Sequence, residues 1–246
     1  MDRAAHRPPR FAFFDLDDTL VDTEATLHAW SLDFVAEYGL GDGSGNDAEA
    51  AALVVDRRAH GVATWREFAE RARDWYRIAT PPQELFERLT ATYTRKFTVA
   101  DEVTSGLTRL REAGWLLGIV TNGLTVVQHG KIDHVGLRGY VDVVVDSEAA
   151  SYRKPDRRIL ELAASKLDVE LGPGGWMVGD MLDKDVEGGI AAGLHTIWLP
   201  HGRELGADDP RPEHVAATIG EAIAIIEASA DATSADGSAY GPADVE

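Results

Sequence analysis

Cysteine is absent from the 246 residues. Disulfides, thiolate metal sites and cysteine nucleophiles are therefore excluded, and a reducing compartment, the cytoplasm, is the expected location. Basic residues are scarce. There are 24 Lys and Arg against 42 Asp and Glu, for a formal net charge of −18, and none of the basic residues follows Arg211. A chain of this sign repels nucleic-acid backbone and anionic lipid, so neither a nucleic-acid polymer nor a membrane is an expected partner. It also repels anionic substrates at long range. A phosphate site here needs local cations, either a metal ion or a well-placed Lys. No apolar run approaches the length of a membrane span. Met1–Arg10 is basic and has no apolar segment, so it does not read as a signal peptide. Walker A and HExxH patterns are missing.

What is present is a soluble composition, 44% hydrophobic and 27% charged, in short apolar runs. Phe11–Phe14, Leu116–Val120, Val141–Val145, Trp176–Val178 and Thr196–Leu199 read as strands buried on both faces. Helical patterns separate the later runs: Val126–Val135, Pro155–Leu167 and Val186–Ala192, with Pro212–Ala228 as a last amphipathic helix. Strands alternating with helices predict an α/β fold with a parallel sheet.

About a hundred residues without a strand signal separate the first two runs, far more than an ordinary connection. Thr26–Tyr38, Asn46–His60, Thr64–Ile78 and Pro82–Phe97 read as helices within it. The third carries Trp65, Phe68, Ala72 and Trp75 at helical spacing, read as core packing. Gly39–Gly45 follows a helix rather than a strand, so it reads as a turn and not as a nucleotide loop. The expected organisation is an α/β core of residues 1–22 and 100–228, an inserted helical cap of residues 23–99, and a disordered acidic tail of residues 229–246.

The chemistry concentrates where strands end. Asp15 and Asp17 lie just past the first apolar run, in Phe13-Phe14-Asp15-Leu16-Asp17-Asp18-Thr19-Leu20. Ligands bind outside the carboxyl ends of strands in open α/β sheets. Crowding two carboxylates there is expensive unless the site uses a raised pKa or recruits a cation. Thr121-Asn122-Gly123 follows the second run. A hydroxyl and free N–H groups there make an anion cradle, although Asn-Gly is also a common turn. Lys154, before Pro155, is a surface lysine or a cation for phosphate, its direction set by Pro155 if that residue opens the helix. Asp180 and Asp185 follow the fourth run, and hard oxygen ligands from two strand ends suit Mg²⁺. Asp183, Asp185 and Glu187 hint at a calcium loop, but Leu194 stands where such a loop needs Glu. Asp18 and Asp183 read as capping or surface residues.

In this order, Asp-x-Asp, Thr-Asn, Lys and Gly-Asp-x-x-x-x-Asp, the chain resembles the haloacid dehalogenase-like phosphatases with a helical cap, over Phe11 to Leu199. The resemblance implies an α/β Rossmann-like core with an inserted α-helical cap. It implies that Asp15 is nucleophile and Mg²⁺ ligand, and that Asp17 is the acid/base whose carbonyl also meets the metal. Thr121, the Asn122 backbone and Lys154 would bind phosphate, with Lys154 also catalytic. Asp180 would be a metal ligand, and Asp185 would hold a metal-bound water or orient Lys154. Met181 departs from the Ser or Thr often found there. The implied substrate is a small phosphorylated metabolite. Gly123, Leu124, Gln128, Lys131 and Ile132, with the glycines after Asp185, are similar to the branch containing pyrimidine 5′-nucleotidases and N-acylneuraminate-9-phosphatases. A phosphomutase, a dehalogenase and a non-catalytic phospholigand binder are the weighed alternatives. Asp17 argues against the dehalogenase. Thr23, Glu24, Trp30, Arg58, Arg66 and Arg77 are the available specificity residues, and the oligomeric state stays open.

Overall fold

The computed structural model describes residues 9–40, 48–49, 52–53, 56 and 64–236. Its centre is a six-stranded, all-parallel sheet of order β3-β2-β1-β4-β5-β6. The strands are β1 (Phe11–Phe14), β2 (Leu116–Thr121), β3 (Val143–Asp146), β4 (Gly175–Gly179), β5 (His195–Trp198) and β6 (His214–Val215). Strands β1 and β4 are fully buried, as strands covered on both faces must be. Alternation along them divides the core. Ala12 and Phe14 join Leu117, Ile119, Trp176 and Val178 on one face. Phe11 and Phe13 join Val120, Val145 and Met177 on the other, under Ile159, Leu160 and Ala163.

Helices α1 (Thr23–Tyr38), α2 (Trp65–Tyr76) and α3 (Pro82–Thr94) lie between β1 and β2 in the chain. Each begins where its sequence permits. The Asp22 carboxylate accepts from Ala25 N at 2.8 Å, the Thr64 hydroxyl accepts from Glu67 N at 3.2 Å, and Pro82 opens α3 without an N–H to satisfy. Gly39, at φ 59°, closes α1 in the left-handed region. The three helices meet through aromatic edges. The Trp30 ring lies 5.1 Å from Trp65, 5.9 Å from Tyr93 and 5.4 Å from Phe34. Each such ring contributes about 1.5–3 kcal/mol by leaving water. This cluster is continuous with the apolar face of the sheet that carries Phe14.

The other helices cover the sheet: α4 (Asp101–Glu112), α5 (Thr125–His134), α6 (Ser147–Ala150), α7 (Arg157–Lys166), α8 (Glu187–Ala191) and α9 (Ile219–Asp236). A short 3₁₀ turn, Leu137–Tyr140, and a π-helical turn, Leu182–Val186, complete the described elements. No helix among the described residues is long and apolar enough to cross a membrane.

Several boundaries differ from the sequence expectation. Helix α7 starts at Arg157 with Asp156 as its cap, so Pro155 does not open it; the Lys154–Pro155 bond is cis. Residues 214–215, expected in the last helix, extend the sheet, and that helix begins at Ile219. It continues to Asp236, so residues 229–236 are helical rather than part of a disordered tail. Trp75 is 48% exposed and lies beside Arg71, outside the apolar stripe of α2. Most of the helix expected over Asn46–His60, and residues 41–45 of the expected turn, lie outside the described residues.

Gly175 pairs with Phe11 across β1 and β4, and a Cβ there would sit 2.1 Å from the Phe11 ring. Gly175→Ala should destabilise by about 1–3 kcal/mol through overpacking. Gly172→Ala, with nothing within 4 Å, should stay within about 0.5 kcal/mol of wild type. Urea unfolding of both variants checks the difference.

Candidate active site

Strand order reverses between β1 and β4, with β2 and β3 to one side and β5 and β6 to the other. The crevice outside the carboxyl ends at such a switch point is where α/β sheets bind ligands. Asp15 leaves β1 there, held by a hydrogen bond from its N–H to Val178 O at 2.9 Å. Thr121 ends β2, and Asp180 follows β4. The three chain segments thus converge on one point because the parallel register aligns their ends.

Lys154 comes from the loop before α7 and is only 3% exposed. Its Nζ lies 2.6 Å from Asp15 Oδ1 and 2.6 Å from Asp185 Oδ1. A reciprocal pair of bonds fixes its backbone: Lys154 N donates to Asn122 Oδ1 at 2.9 Å, and Asn122 Nδ2 donates to Lys154 O at 3.0 Å. The Asn122 side chain is therefore a clip for Lys154, which leaves its backbone for any anion. Asp185 sits in the π-turn, where Met181 N donates to its Oδ2 at 3.0 Å. Its carboxyl occupies the space a Cβ on Gly179 would take, at 2.3 Å.

Asp15, Asp180 and Asp185 offer carboxylate oxygens that all lie within 4.8 Å of one another. Burial, reinforced by Asp185 and Asp17 and opposed by Lys154, pushes Asp15 up to about 7. Burial and Asp185 push Asp180 up to about 6 against Arg203. Burial alone would push Lys154 down, but Asp15 and Asp185 outweigh it and hold it above its ordinary value. Three buried carboxylates facing the Lys154 ammonium and, at Asp180, the half-exposed Arg203 guanidinium still leave an excess of negative charge, which a cation would relieve. The donors are all hard oxygens, so a divalent cation of the Mg²⁺ or Ca²⁺ kind fits them.

Asp17 points elsewhere. Its Oδ1 accepts from Lys131 Nζ at 2.5 Å and Thr23 Oγ1 at 2.6 Å, and its Oδ2 accepts from Gln128 Nε2 at 2.8 Å. Burial raises its pKa, but the Lys131 charge and these hydrogen bonds outweigh burial and leave it lowered. Gln128 also donates to Thr121 Oγ1 at 2.6 Å, tying Asp17 to the second strand end. Gln128 and Lys131 carried no assigned role in the sequence. Their signal was position: two polar residues three apart on the buried face of a helix, directly after the Thr-Asn turn. Arg203 was also missed. Its Nη2 donates to Asp180 Oδ2 at 3.0 Å, and the Trp198 indole donates to Asp180 O at 2.8 Å.

The remaining acids have local duties. The Asp18 carboxylate accepts from Thr23 N at 2.8 Å, and Asp183 is exposed. Among the specificity candidates, Trp30 is buried with its indole donating to Thr92 Oγ1 at 3.0 Å. Arg66 donates to Gln83 on the surface, Arg77 caps α2, and Arg58 lies outside the described residues. A cavity of about 1040 Å³ flanks the acid cluster on the Asp180 and Met181 side, between Glu24 and His28 of α1 and the His201–Arg203 loop.

The family model of haloacid dehalogenase-like hydrolases matches residues 12–199. The chain is 30% identical over 210 residues to a pyrimidine 5′-nucleotidase of Escherichia coli (strain K12), covering 84% of this chain and 90% of that protein. It is 31% identical over 209 residues to a glyceraldehyde 3-phosphate phosphatase of Pyrococcus abyssi, covering 78% and 81%. An N-acylneuraminate-9-phosphatase of Mus musculus is 27% identical over 238 residues, covering 89% and 94%. Among solved structures, a HAD phosphatase from Thermococcus onnurineus matches with a TM-score of 0.65 at 25% identity, over 88% of this chain and 97% of that one.

The acid cluster links stability to pH and to metal. Between about pH 4 and 7 the folded protein keeps protons on Asp15 and Asp180 that the unfolded chain has released. Metal-free stability should therefore fall as pH rises through this window. The lowered Asp17 acts only below it, in the ordinary carboxylate range. A divalent cation needs the ionised cluster, so millimolar Mg²⁺ should raise Tm more at pH 8 than at pH 5. Thermal melts in EDTA and in Mg²⁺ check both statements. A Tm that ignores Mg²⁺ at both pH values removes the metal assignment.

Proposed function

The chain belongs to the haloacid dehalogenase-like hydrolase family, and from that we propose that it is a Mg²⁺-dependent phosphomonoesterase with Asp15 as nucleophile. The observation that carries the reading is the Lys154 ammonium 2.6 Å from both Asp15 and Asp185, beside a third buried carboxylate, Asp180. A lysine and a divalent cation together overcome the repulsion that a chain of net charge −18 presents to a phosphate dianion.

In the proposed reaction Asp15 attacks phosphorus in line and the bond to the leaving oxygen breaks, giving an aspartyl-phosphate. Asp17 delivers a proton to that oxygen, then takes one from the water that attacks phosphorus and frees Asp15. The lowered Asp17 corresponds to the carboxylate form that accepts the proton from water, and that transfer regenerates the acid form that delivers a proton to the next leaving oxygen. Lys154 holds Asp15 and faces the charge that develops on the phosphoryl oxygens. Thr121 Oγ1 and the Asn122 backbone bind the remaining oxygens. The Asp15, Asp180 and Asp185 carboxylates and the Asp17 carbonyl would hold Mg²⁺, which when bound neutralises phosphoryl charge.

Residues 23–99 form the cap in this reading, and the substrate is a small phosphorylated metabolite that the enzyme meets in the cytoplasm. Support for a nucleotide or a sugar phosphate comes from what the named relatives act on.

Asp15→Asn should lower turnover of phosphorylated metabolites roughly 10⁴-fold or more, the scale of nucleophile knockouts, with the melting transition kept. EDTA should silence the wild type and Mg²⁺ should restore it. Near-normal hydrolysis by Asp15→Asn would falsify the assignment, and activity on a halogenated acid that survives EDTA would move the chain to dehalogenation.

A further inference from the structure

Lys131 belongs to neither the phosphate set nor the acid cluster, yet only 4% of its side chain is exposed. A buried ammonium requires a partner, and the carboxylate it meets is that of Asp17, at 2.5 Å. On its other side lie two rings from the inserted segment, Phe97 at 4.9 Å and Tyr93 at 5.5 Å. Such rings attract a desolvated cation through their faces. Between Gln128 and Lys131, Gly130 lets α3 approach, since a Cβ there would sit 3.0 Å from Thr94. Helix α5 therefore presents both donors to Asp17 from beneath the end of α3.

We propose that Lys131 is a positioning residue: clamped between Asp17 and the rings of Tyr93 and Phe97, it holds the Asp17 carboxyl at the angle from which it exchanges protons with the leaving oxygen and with water. This rests on the phosphomonoesterase reading above. Asp χ2 is a broad, soft torsion. Gln128 anchors Oδ2, while Oδ1 is anchored by Lys131 and by Thr23. Without Lys131, Oδ1 keeps only the neutral Thr23 hydroxyl, whose rotor can turn away, so the carboxyl is held less tightly about χ2. The clamp also makes the placement of Asp17 conditional on α3 being seated, because Tyr93 lies in its last turn and Phe97 three residues past its end.

The test is a double-mutant cycle of Lys131→Met and Asp17→Asn, on p-nitrophenyl phosphate, whose leaving group needs little protonation, and on glycerol phosphate, whose leaving group needs much. Lys131→Met should lower kcat/KM on glycerol phosphate about 10–100-fold, the scale of a misplaced catalytic group, and lower it less on p-nitrophenyl phosphate. KM and inhibition by inorganic phosphate should stay within about twofold. In the Asp17→Asn background, Lys131→Met should change kcat by no more than about twofold. Multiplicative losses in that background, or equal losses of kcat/KM on the two esters, overturn the proposal, since kcat/KM reports the leaving-group step whereas the water step is common to both esters. Should Lys131→Met not fold, Lys131→Gln enters the same cycle with the same criteria. Failure of the underlying reading looks different: the wild type would then hydrolyse neither ester.

Discussion

Lys154 carries the constraint on which the site depends. Asp15, Asp180 and Asp185 are buried at one sheet edge within 4.8 Å of one another, and desolvated carboxylates so close together cannot all ionise without a counter-charge. One ammonium, 139 residues from Asp15 along the chain, sits between two of them. Burying such a set is costly, and it holds only if geometry is enforced on every member. That enforcement accounts for much of the local structure. Asn122 grips both sides of the Lys154 backbone. The π-turn aims Asp185 inward past a glycine that leaves room for it. Arg203 and Trp198 hold Asp180.

A second centre of charge lies one residue pair away. Asp17 is separated from Asp15 by the buried Leu16 and turns toward α5, where Lys131 and Gln128 meet it. The two aspartates of one short motif thus have opposite surroundings. Burial and neighbouring acids raise Asp15, whereas donors outweigh burial at Asp17 and lower it. Pushing the pKa values of neighbouring carboxyls apart is how one site assigns distinct roles to identical side chains. The lysine that does this at Asp17 is enclosed by rings of the inserted segment, so the helices between β1 and β2 reach the chemistry through that ion pair.

Much of the fold was legible because buried parallel strands have an unmistakable composition. The five apolar runs became five of the six strands, with ends displaced by a residue or two. Strand β6 was missed because two residues, His214 and Val215, carry no period. The last helix was misplaced because its amphipathic signal is weak and its Ala-rich end resembles a linker in composition. Trp75 was misread because helical spacing alone does not say which turn of a helix runs out past its neighbours.

The sequence by itself determined part of the site's inventory, its acids with Thr121 and Lys154, but not Gln128, Lys131 or Arg203. Asp15, Thr121 and Asp180 each stand at the end of an apolar run, and the carboxyl ends of strands in a parallel sheet lie on one side of it, so these three could be grouped without coordinates. Only the tertiary structure decided how those groups pair. Whether Lys154 faces solvent or two carboxylates, whether Asn122 binds an anion or a backbone, and which cation meets Asp17 all depend on contacts between residues more than thirty apart in the chain. Local propensity and spacing are blind to such contacts, because they arise from the register of the sheet and the packing of helices upon it.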